Sequence, residues 1–109
     1  MSFQQVSVAN ALFNTPTYSM SRDGVCDPSL FTCLNLRGAK NVVIQTSNLP
    51  SNADFPLVQI LIFETSGNPG AAKISCDDGQ LILGESTLFV SPGQVIGMVW
   101  NGSAFLATV

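Results

Sequence analysis

Apolar and polar residues alternate in short runs along the chain. Phe3 to Ala9 places Val6 and Val8 on one side and Gln5 and Ser7 on the other, the period of two of a half-buried strand. Leu30 to Leu36 sets Leu30, Leu34 and Leu36 on one face, with Phe31 and Cys33 opposite. Asn41 to Thr46 carries Val42-Val43-Ile44. Leu57 to Glu64 is apolar at nearly every position and bounded by Pro56 and Gly67, the signature of a strand buried on both faces. Ala72–Cys76, Gln80–Leu83, Thr87–Val90, Gln94–Trp100 and Ser103–Val109 complete the predicted strands. Gly and Pro interrupt the chain so often that few gaps hold a helix of average length, and less than about 10% helix is expected.

Turn chemistry sharpens this pattern. Asn101-Gly102 between two apolar runs predicts a two-residue type I′ hairpin with Trp100 and Ser103 as cross-strand neighbours. Asp77-Asp78-Gly79 reads as another hairpin turn. The predicted fold is all-β: one antiparallel β-sandwich domain over 1–109, a jelly roll or other Greek key, closed by the C-terminal Asn-Gly hairpin. Residues 10–29 show no period, yet they include Leu12, Phe13, Tyr18 and Met20. A long segment of that kind reads as a loop or arm lying on another surface, with those four residues as interface candidates. The other reading is a loop covering the open end of its own domain.

Composition changes the picture chiefly through charge. Only 10% of residues are charged, against about 25% in an average soluble domain. Four basic and seven acidic residues give a net charge of −3. Ser, Thr, Asn and Gln supply 33 residues, so the polar positions are mostly neutral. Four cations cannot form the basic stripe that a nucleic-acid binder needs. A sparsely charged surface fits a chain whose faces are covered by copies of itself or by a partner, so a homo-oligomer is expected. No apolar run is long enough to span a membrane as a helix. The N-terminus lacks the basic and apolar regions of a signal peptide, which points to synthesis in a cytoplasm.

Candidate chemistry is sparse. The chain contains no histidine, and no phosphate-binding, nucleophile-elbow or zinc-protease motif occurs, so no enzyme and no cofactor is expected. Cys26, Cys33 and Cys76 are an odd set without metal-ligand spacing. They read first as reduced thiols packed as small hydrophobes, with a Cys26–Cys33 bridge as the alternative.

The run from Leu81 to Phe105 resembles a recurring module of bacteriophage structural proteins. In that module a strand leads into a Pro-Gly turn, here Ser91-Pro92-Gly93-Gln94. A second strand leads to an Asn-Gly hairpin and an aromatic residue, here Asn101-Gly102 and Phe105. Capsid decoration proteins and tail-fibre tips carry such modules, often as trimers. The resemblance implies a virion structural protein, a small capsid cement, decoration or minor capsid protein made in a host cytoplasm. Its partners would be copies of itself, with a trimer the first choice, and the major capsid or other virion proteins. The alternative is a receptor- or carbohydrate-binding module of a tail fibre or spike.

Overall fold

The computed structural model describes residues 16–51, 58–64 and 70–108. Their strands are β1 (Thr17–Met20), β2 (Gly24–Cys26), β3 (Cys33–Leu36), β4 (Asn41–Ile44), β5 (Val58–Glu64), β6 (Ala72–Cys76), β7 (Leu88–Val90), β8 (Val95–Trp100) and β9 (Phe105–Ala107). The only helical element among the described residues is a 3₁₀ turn, Pro28–Leu30. The all-β expectation holds.

The first six strands alternate between two sheets. β1, β3 and β5 pair parallel in one, and β2, β4 and β6 pair parallel in the other. The chain therefore winds as a flattened coil of three turns, each turn placing one strand in either sheet. From Thr17 to its partner Cys33 one turn takes 16 residues. β7 then adds antiparallel to β6, while β8 and β9 add antiparallel beyond β5. The result is a five-stranded sheet, β1-β3-β5-β8-β9, and a four-stranded sheet, β2-β4-β6-β7, both mixed. The expected antiparallel pairing is thus corrected, because an all-antiparallel Greek key contains no parallel neighbours. The physical reason lies in the connections. The residues between Leu36 and Asn41 pass the chain to the other sheet instead of folding it back beside β3, so each strand meets the one two places earlier.

Parallel, in-register winding stacks like positions into columns. Leu34 and Ile62 stack in the five-stranded sheet, as do Gly24, Val42 and Ile74, and Cys26, Ile44 and Cys76, in the other. Apart from Gly24, these residues belong to one hydrophobic cluster fed by both sheets, which also holds Ile60, Met98, Trp100 and Phe105. Polar corners hold the turns together. Asp23 accepts from the backbone N–H groups of Lys40 and Asn41 at 2.8 and 3.0 Å and from Asn41 Nδ2 at 3.0 Å. Asp77 Oδ1 accepts from Thr46 N at 3.1 Å and Thr46 Oγ1 at 2.9 Å. The column Met20, Leu36 and Glu64 ends on a buried carboxylate, with Lys40 Nζ 4.0 Å from Glu64 Oε2.

Three local expectations change. Residues 16–29 are not a periodless loop: they contain β1, β2 and the start of the 3₁₀ turn, the first winding of the coil. β8 and β9 are joined by four residues, with Trp100 opposite Phe105 and Asn101 N donating to Ala104 O at 3.0 Å. Asn101 Oδ1 accepts from Ser103 N and Ala104 N, so this side chain folds the loop, and only Gly102 takes positive φ (104°). A type I′ turn needs positive φ at both central residues, and Asn101 does not supply it. Finally, Gln80–Leu83 yields no strand. Ile82 instead forms isolated bridges to Glu85 and Phe105, and Leu83 sits at φ 52°. The predicted strand Phe3–Ala9 lies outside the described residues.

Candidate functional site

Side chains of the five-stranded sheet that point away from the core form three rows. Thr17, Cys33, Leu61 and Gly97 make the first, and Ser19, Asn35, Phe63 and Val95 the second. Gln59, Val99 and Leu106 make the third. None of these residues is charged. Val95 is 66% exposed and Leu106 45%, while Leu61, Phe63 and Val99 are half-buried between them. The outer face of the other sheet differs: it carries Lys73 beside Phe89. Gly97 is fixed by close approach, since a Cβ there would lie 2.7 Å from Thr108 Oγ1 and 3.3 Å from Leu61 Cδ2. The five-stranded sheet therefore presents an uncharged face, polar at Thr17, Ser19, Asn35 and Gln59 and apolar at Leu61, Phe63, Val95, Val99 and Leu106.

A second feature lies at the start of the coil, where β1 and β2 are the outermost strands of their sheets. A recess of about 390 Å³ is lined there by Tyr18, Val25, Asp27, Leu30, Phe31 and Gln45, together with Pro16, Thr17 and Cys26. Tyr18 stands one place beyond Leu34 in its column, so no strand beyond β1 covers it among the described residues, and it stays 44% exposed. Its ring is stacked on Phe31, centroids 5.5 Å apart and planes 20° from parallel. Asp27 caps the 3₁₀ turn: Oδ1 accepts from Ser29 N at 3.0 Å and Ser29 Oγ at 2.7 Å, and Oδ2 accepts from Asn48 Nδ2 at 2.6 Å. Burial pushes its carboxyl up, but these hydrogen bonds outweigh burial and hold it below the usual carboxylate range. Gln45 Nε2 donates to Ser47 Oγ at 2.9 Å, leaving its carbonyl oxygen as the acceptor.

The four interface candidates separate. Leu12 and Phe13 lie outside the described residues. Tyr18 lines the recess, whereas Met20 turns into the chain's own core at 6% exposure. Sequence reasoning missed Val95, Leu106, Asp27 and Gln45. The available signal was the double parity of Leu57–Glu64 and Val95–Trp100: a strand apolar on both sides has a second face to cover.

The thiols are all free. Burial, with Asp27 and Cys76 nearby, raises Cys26 to about 12, and burial, with Asp77 nearby, raises Cys76 to about 11. Both stay protonated at neutral pH and serve as packing groups. Among the described residues no group of His, Cys, Asp and Glu could hold a metal ion. No family model, curated protein or solved structure matches the chain.

Proposed function

We propose that this chain is a virion structural protein, a small capsid cement, decoration or minor capsid protein that acts through protein–protein contacts. The observation that carries this reading is the uncharged outer face of the five-stranded sheet, with Val95 and Leu106 exposed on it. Apolar area of this kind gains free energy only when covered, at about 25 cal/mol per Å². The centres of permanent protein interfaces are likewise depleted in charge. In this reading the two sheets are the layers of a β-sandwich, one of them given over to contact. Copies of the chain associate through it, with a trimer as the first choice, and the assembly sits on the major capsid or another virion protein.

The double variant Val95→Asp/Leu106→Asp tests this. Both side chains are exposed, so the fold should survive while a pair of carboxylates enters the contact. Sedimentation equilibrium should show the wild type above its 11.5 kDa chain mass and the variant at that mass. Capsids should retain the wild type and release the variant. A wild-type chain that stays monomeric and fails to bind capsids would end the reading.

A further inference from the structure

We propose that the recess at the first turn of the coil is a guanidinium site, which takes an arginine side chain from a partner protein. The inference rests on the reading of the chain as a contact protein and names what one such partner must present. Asp27 and Gln45 bring acceptor oxygens to the lining, beside the hydroxyls of Thr17 and Tyr18. Asp27 is a carboxylate held by three donors and keeps a lone pair free on Oδ2. Gln45 donates from Nε2 to Ser47 Oγ at 2.9 Å, and its Oε1 is an acceptor. No lysine or arginine lines the recess. With Asp27 the one charged group of the lining, the recess favours a ligand that carries donors and positive charge.

The remaining wall specifies its shape. Tyr18 presents an aromatic surface made firm by Phe31 stacked against it. A guanidinium is planar, carries five donors and no acceptor, and stacks on aromatic faces. Its methylene stem needs an apolar rim, and Val25 and Leu30, both exposed, supply one. A lysine ammonium would satisfy Asp27 but could not reach two acceptors while lying flat on Tyr18. An anionic ligand is repelled by Asp27, and the chain as a whole carries −3.

The test uses the full chain labelled with ¹⁵N and the peptide acetyl-Gly-Arg-Gly-amide, compared with its citrulline counterpart of the same shape and no charge. The arginine peptide should move the Tyr18, Asp27 and Gln45 amide resonances saturably, and the citrulline peptide should bind about tenfold more weakly. Asp27→Asn should weaken the arginine peptide by a similar factor. Asparagine caps helical turns as well as aspartate does, so the 3₁₀ turn is retained. Tyr18→Leu keeps an apolar group in the column and should also weaken binding. Val95→Asp/Leu106→Asp should leave the titration unchanged, which separates this site from the sheet face. Equal shifts from the two peptides, or wild-type affinity in Asp27→Asn, would overturn the proposal. If a second copy of the chain supplied the arginine through Arg22 or Arg37, the wild type would resist the peptide until diluted, and that too would overturn it.

Discussion

Two aspartates show how single residues hold the coil together. Asp23 ties the start of β2 to the start of β4 through Lys40 and Asn41, and those hydrogen bonds hold its carboxyl below the ordinary range. Asp27 is held low in the same direction. A carboxyl depressed in the folded state contributes stability above its unfolded value, near 4, and loses it as pH falls through the folded value. Urea midpoints should be level above about pH 5 and fall steadily below about pH 4. Asp23→Asn/Asp27→Asn should be less stable than wild type at neutral pH and flatter in acid. Equal slopes for both chains would remove these residues as the source. Gly97 makes a separate case. A methyl group there meets Thr108 and Leu61, so Gly97→Ala should cost about 1 kcal/mol in chemical unfolding. Thr108→Ala in the same chain should recover most of the loss, because it removes both obstructing Thr108 atoms. Neither role was legible in the sequence. Asp23 and its partners are 17 and 18 residues apart, and Gly97 read as part of an ordinary apolar strand.

Among the elements, side-chain period proved a sound guide to most strands inside a sheet. Ala72–Cys76 stands as expected, and β4, β5 and β8 lie within their predicted ranges, as does the edge strand β7. Leu30–Leu36 shortens to β3, with Leu30 exposed in the 3₁₀ turn and Phe31 buried. β1 and β2 escaped because they end the coil. Edge strands at an open turn keep few buried positions, and of Thr17–Met20 and Gly24–Cys26 only Met20 and Cys26 are buried. With one apolar anchor each, neither displays an alternation that a period count detects. Direction was illegible for a different reason: the same alternation serves parallel and antiparallel neighbours, and only the tertiary path of the connections decides between them. The closing strands can be tested through Trp100. Its ring packs on Phe105, centroids 5.0 Å apart, and its Nε1–H donates to Pro50 O at 2.6 Å, pinning the 45–51 segment to the end of β8. Trp100→Phe keeps an aromatic ring but leaves that carbonyl without its donor, and it should cost about 1–3 kcal/mol in thermal or urea unfolding. A loss below a few tenths would show that water replaces the indole.

At the scale of the whole molecule, the placement of charge separates two surfaces with different physics. The described acidic and basic groups sit on corners, turns and the four-stranded sheet, or are buried as Glu64 is. The outward rows of the five-stranded sheet carry none. The low charge count was plain in the sequence, but its concentration away from one face was not, because that depends on which parity of β5 and β8 points inward. Contact through this face should then be driven by apolar burial and resist salt. The screening length shortens from about 10 Å at 0.1 M to about 3 Å at 1 M, which weakens exposed ion pairs and leaves apolar contact intact or slightly strengthened. Sedimentation of the wild type across that range should show association unchanged or tightened. Titration of the recess with the arginine peptide over the same range should weaken severalfold, because Asp27 attracts its ligand by charge. If self-association dissolved as salt rose, ion pairs from the corners would be holding the copies together, and the sheet face would not be the contact.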